Sequence, residues 1–154
     1  MNPRFAPFKV APDLIKALVG LEKAITAGGL EPGLGELVRL RASQINGCAM
    51  CIHMHATEAR SIGESEMRIV MLDAWRESPL YSDRERAALA WTEALTNVAE
   101  TRAPDADYEL VRSRFSEEEI VNLTVMIGAI NLWNRLQIAA RAVHPVQQSD
   151  RAAA

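Results

Sequence analysis

The fold is indicated most directly by residues 116–134, which read SEEEIVNLTVMIGAINLWN. Ser116 and Glu119 have the spacing of a capping box, in which both side chains satisfy backbone N–H groups at the start of a helix. The stretch from Ile120 to Asn134 carries no charge, but it is shorter than the roughly 20 residues that a helix needs to span a bilayer. We therefore expect a helix at the centre of the domain, where Asn131, Asn134 and Arg135 need either buried partners or a wet pocket.

Helical signals also dominate the rest of the chain. Ser82 and Glu85 form a second capping-box pattern, and no segment shows the alternation of polar and apolar residues that is typical of a strand. Proline and glycine fall mostly at the expected helix boundaries. The sequence predicts a single all-α domain of about six to seven helices. The other expected helices begin near Pro12, Pro32, Cys48, Glu64, Ser82 and Pro104.

Length and charge limit the domain organisation and the function classes. The 154 residues predict an N-terminal arm at 1–11, a helical domain at 12–145 and a tail at 146–154 that frays. A net charge of −3 argues against nucleic-acid binding, which requires a basic excess. The first residues contain no apolar core of a signal peptide, and no stretch predicts a membrane span. We therefore expect a cytoplasmic protein that binds neither nucleic acid nor membrane.

The two cysteines lie in one segment, residues 47–58, which reads GCAMCIHMHATE. At about 100° per residue, Cys48, Cys51 and His55 fall on one face of a helix, whereas His53 points away from Cys51. The start of a helix favours a thiolate on Cys48, and the histidine favours one on Cys51. The residues leave open which cysteine attacks. Glu36 would orient His55 if the Asn46-Gly47 turn folds two helices together.

Less specific interpretations compete with a reactive pair. The cysteines could be inert hydrophobic residues, and Glu36 could be a surface carboxylate paired with Arg39. A zinc site could use Cys48, Cys51 and His55, with Glu36 or His53 as the fourth ligand. However, the spacing from Cys51 to His55 is far shorter than in finger-type sites, and the chain has no second CxxC.

The spacing of Glu36, Cys48, Cys51 and His55 resembles the E-x11-C-x2-C-x3-H signature of AhpD-like alkylhydroperoxidases in the carboxymuconolactone decarboxylase superfamily. Residues 83–96 and 131–135 also resemble the peroxidase-related branch of this family. The resemblance implies an all-helical homotrimer or homohexamer without a cofactor or bound metal.

The resemblance also implies a role for each residue of the signature. Cys51 attacks the hydroperoxide and becomes a sulfenic acid, Cys48 resolves it as a disulfide, and Glu36 and His55 relay protons. An external dithiol or protein reductant, whose identity the sequence does not give, then restores the thiols. Thus the resemblance favours Cys51 as the attacker.

One position departs from the family pattern. Alkylhydroperoxidase D has a histidine just before the second cysteine, and this chain has Met50 there. The lipoylated reductant of that protein is therefore not assumed here. The sequence predicts a peroxidase, or dithiol oxidoreductase. The alternatives are a lactone decarboxylase, a branch that typically lacks the CxxC pair, and a non-catalytic helical oligomer that senses zinc or redox state.

Overall fold

Residues 2–146, which are the residues described by the computed structural model, contain helices and connecting turns and no β-strand. Nine α-helices and one 3-10 turn follow in the order α1 (Pro7–Val10), α2 (Pro12–Ala27), α3 (Pro32–Asn46), α4 (Ala49–Ser61), α5 (Glu66–Met71), the 3-10 turn (Leu72–Ala74), α6 (Asp83–Thr96), α7 (Val98–Thr101), α8 (Asp105–Arg112) and α9 (Glu117–Ala140). The predicted all-α fold is confirmed.

The predicted number of six to seven helices is wrong. The two additional helices are α1 and α7, each only four residues long. A single turn is too short to show the apolar periodicity from which helices are predicted. Residues 147–154, which cover nearly all of the predicted tail, lie outside the described part of the chain.

The helix boundaries follow the local signals in the sequence. Both capping boxes form, because Ser82 and Ser116 accept the backbone N–H groups of Glu85 and Glu119 and each glutamate reaches back to its serine. At the end of α3, Gly47 has a φ of +66°, a conformation that glycine adopts without a steric penalty. The chain thereby turns directly from α3 into α4.

The central position of α9 agrees with its sequence. Leu123, Ile127 and Ile130 on this helix are almost completely buried. α3 packs against α4, α6 and α9, and α4 also contacts α9. The start of α4, which carries both cysteines, is therefore enclosed by α3 and α9. Within residues 2–146, no helix combines the length and apolar character needed to cross a membrane.

Candidate active site

The turn between α3 and α4 brings the predicted acid and histidine into contact. Glu36 on α3 and His55 on α4 lie 2.9 Å apart, measured from Oε2 to Nδ1. The bond at Nδ1 fixes the orientation of the imidazole ring. Nε2 is then the ring nitrogen that is available to another partner. His55 is 7% exposed, and Nε2 is buried without a hydrogen-bond partner among the described residues. A buried polar atom of this kind indicates a place where a ligand or water binds.

The two thiols are buried together at the start of α4. Cys48 is the N-cap residue, and its Sγ lies 2.7 Å from Sγ of Cys51. The hydrogen bond from the Cys51 thiol, supported by the backbone N–H groups of Cys51 and Met50, lowers the pKa of Cys48 to about 7. The same contact with Cys48, together with burial, raises the pKa of Cys51. The electrostatics therefore place the resting thiolate on Cys48, as the helix-terminus argument predicts.

A cavity of about 460 Å³ opens beside the second cysteine. Its lining includes Cys51, His55 and Glu36, but not Cys48. A molecule in this cavity would therefore lie beside Cys51 rather than Cys48. The lowered pKa favours Cys48 as the attacking thiol, whereas the position in the cavity wall favours Cys51. The sequence left the same question open.

A chain of polar contacts continues from the Glu36–His55 pair along the cavity wall. Arg39 approaches Glu36 at 3.4 Å and Glu22 on α2 at 3.2 Å. Trp133 on α9 donates from Nε1 to Glu22 at 3.1 Å. The expected pairing of Glu36 with Arg39 is therefore present, but the same carboxylate also contacts His55. Sequence reasoning missed Glu22, because nothing in its spacing links it to a residue on the next helix.

Buried amides contact the thiols from the side of α9. Asn134 is fully buried, and its side-chain amide lowers the pKa of both thiols. Its own amide is held on both sides: Nδ2 donates to Ser43 at 3.0 Å, and Oδ1 accepts from Asn46 at 2.8 Å. The expectation that Asn131 and Asn134 find buried partners is confirmed. Asn134 is a positioned donor that favours the charged form of either thiol.

We expect Asn134→Ala to raise the pKa of the Cys48 thiol above its value of about 7, because the amide that favours the thiolate is removed. Thiolate absorbance near 240 nm, followed against pH, measures this shift. Asn122→Ala is the matched control, since Asn122 lies on the same helix and donates to the carbonyl of Ile25, away from the thiols. An unchanged midpoint in a folded Asn134→Ala protein would exclude this role.

The remaining candidate residues lie outside this arrangement or contribute no acid–base group. His53 stacks on His144, with ring centroids 5.2 Å apart. Met50 packs against the thiol cluster and lines the cavity, where it supplies no proton. Within residues 2–146, no three side chains of His, Cys, Asp or Glu are arranged so that they could hold a metal ion. The zinc alternative therefore receives no support from the geometry.

More than half of the chain matches a known protein family. Residues 12–94 match the model of the carboxymuconolactone decarboxylase family. The uncharacterized protein YdfG of Bacillus subtilis is 41% identical over 139 residues, which cover 90% of this chain and 95% of YdfG.

Solved structures resemble this fold over nearly the whole chain. A protein of unknown function from Agrobacterium tumefaciens, named as a candidate antioxidant defence protein AhpD, is 48% identical and superposes with a TM-score of 0.93. The match covers 95% of this chain and 100% of that one. An uncharacterized peroxidase-related protein from Ralstonia eutropha, described as an alkylhydroperoxidase AhpD core, has a TM-score of 0.79 at 20% identity. The match covers 90% of this chain and 74% of that chain. At this sequence identity, the likeness supports the fold alone.

Proposed function

Because the chain belongs to the carboxymuconolactone decarboxylase family and is AhpD-like, we propose that it reduces hydroperoxides with the Cys48–Cys51 pair. One observation carries the proposal: a buried dithiol touches a cavity whose wall also holds a histidine oriented by a carboxylate. A thiolate, a second thiol and a proton donor are the groups that thiol-based peroxide reduction requires.

The first step uses both cysteines. The Cys48 thiolate accepts the proton of the Cys51 thiol across the 2.7 Å contact, which leaves the negative charge on the sulfur that lines the cavity. Cys51 then attacks the terminal oxygen of the hydroperoxide, and the O–O bond breaks. Cys51 becomes a sulfenic acid, and the alkoxide leaves as an alcohol after it takes a proton from protonated His55. This scheme accommodates both a more acidic Cys48 and a Cys51 that lines the cavity.

The second step closes the disulfide. The Cys48 thiol attacks the sulfenic sulfur of Cys51, an S–S bond forms, and the hydroxyl group leaves as water with the Cys48 proton. An external dithiol or protein reductant then reduces the disulfide by thiol–disulfide exchange.

Decarboxylation of a lactone acid is less well supported. The cavity wall contains the carboxylates of Glu22, Glu36 and Glu58, and the cation of Arg39 already contacts two of them. An anionic lactone would therefore meet a surface of its own charge sign. We do not propose this activity.

Mass spectrometry after one equivalent of cumene hydroperoxide, before any reductant is added, tests the proposed function. We expect the peptide that contains both Cys48 and Cys51 to lose two hydrogen atoms as the disulfide forms. Protein treated with cumyl alcohol is the control for adventitious oxidation. Two unmodified thiols after exposure to peroxide would overturn the proposal.

We further propose that copies of the chain associate into a trimer or hexamer. Apolar residues are exposed along α1, α2 and α9, and Val10 and Leu14 are 73% and 70% exposed. Burial of such a surface favours association. Light scattering should give three or six times the mass of 17.0 kDa, and a monomeric mass would contradict this proposal.

A further inference from the structure

The N-terminal arm supplies part of the cavity wall. Phe8 on α1 stacks on Trp133 of α9, with ring centroids 6.4 Å apart, and both side chains line the cavity. Backbone N–H of Arg4 donates to the carbonyl of Ala140 at 2.9 Å, which attaches the arm to the end of α9. Met50 and Met54 contribute further apolar surface. The wall around the reactive sulfur is therefore largely apolar and partly aromatic.

The charges in the same wall are predominantly negative. Glu22, Glu36 and Glu58 contribute three carboxylates, against the guanidinium of Arg39 and the imidazole of His55, which contacts Glu36. Arg39 is paired with Glu22 and Glu36, whereas Glu58 has no side-chain partner among the described residues. A cavity lined by one sign of charge and by apolar walls repels ligands of the same sign.

We propose, on the basis of the proposed peroxidase function, that the cavity selects uncharged hydroperoxides with an apolar body and discriminates against carboxylate-bearing ones. Phe8 and Glu58 are the specificity-determining residues. Phe8 provides an aromatic surface for the body of the substrate, and the unpaired carboxylate of Glu58 repels an anionic group. Neither side chain takes part in the reaction itself.

A matched pair of substrates tests the charge selection. Cumene hydroperoxide and its para-carboxylate derivative differ by one charge, and their uncatalysed rates with dithiothreitol correct for intrinsic reactivity. We expect kcat/KM for the neutral compound to be higher by about tenfold or more. Glu58→Gln should narrow this ratio by about twofold to fivefold. Glu77→Gln is the matched control, because Glu77 is exposed, as Glu58 is, but does not line the cavity.

Comparison of cumene hydroperoxide with hydrogen peroxide distinguishes binding of the apolar substrate body by Phe8 from the reaction at the thiols. We expect Phe8→Ala to lower kcat/KM for cumene hydroperoxide by about threefold to tenfold, while the value for hydrogen peroxide stays within about twofold. Phe5→Ala is the control, because it also removes an aromatic side chain from the N-terminal arm but Phe5 does not line this cavity. Circular dichroism verifies that each variant is folded.

The outcomes distinguish this inference from the proposed function. If no hydroperoxide is consumed beyond the uncatalysed rate, the peroxidase proposal fails and the inference fails with it. If both cumene compounds are consumed at the same corrected rate, or Phe8→Ala slows hydrogen peroxide equally, only the specificity inference is overturned.

Discussion

The Cys51→Ser variant should lose reductant-dependent hydroperoxide consumption by at least about 10³-fold. Cys51 lines the cavity and Cys48 does not, so this substitution leaves no cysteine in the cavity wall. Serine is nearly the same size but is a far weaker nucleophile at neutral pH. The measurement is the rate of cumene hydroperoxide loss with dithiothreitol as reductant, corrected for the rate without protein.

The control for this substitution is His53→Gln. His53 lies on the same helix but contacts His144 instead of the thiols, so we expect a rate close to that of the wild type. A Cys51→Ser protein that keeps more than about a tenth of the wild-type rate would contradict the proposed role of Cys51.

In the Cys48→Ser variant, hydroperoxide should still oxidise Cys51 to a sulfenic acid, but the catalytic cycle should not be completed. Without Cys48 no intramolecular disulfide can form, and the sulfenic acid on Cys51 should persist. The substitution also removes the contact that raises the pKa of Cys51, so Cys51 should ionise more readily and its oxidation should be no slower than in the wild type. Trapping with dimedone followed by mass spectrometry locates the sulfenic acid and gives its rate of formation.

The two serine variants together resolve the conflict between acidity and access. Trapped sulfenic acid on Cys51 in Cys48→Ser, and none on Cys48 in Cys51→Ser, supports attack by the cavity-lining sulfur. The reverse pattern would identify Cys48 as the attacker, in agreement with its lowered pKa, and would overturn the proposed roles.

The positions of the longer helices could be predicted from the sequence, because helix boundaries depend on nearby residues. The serine and glutamate of each capping box are three residues apart, and the turn at Gly47 requires only the local freedom of glycine. The same local periodicity placed Cys48, Cys51 and His55 on one helical face. It did not predict α1 and α7, because four residues contain too little of a period.

The contacts between helices depended on the tertiary structure. Sequence spacing suggested Glu36 as a partner of His55, but only the packing of α3 on α4 brings the two within 2.9 Å. Glu22 and Asn134 join the site from α2 and α9, and no periodicity relates residues on separate helices. The packing also decides which thiol faces the cavity, because exposure depends on what covers each sulfur. The residue pattern therefore determined a helical domain with a dithiol, and the packing of α2, α3 and α9 around α4 determined its proton partners, its acidity and its access.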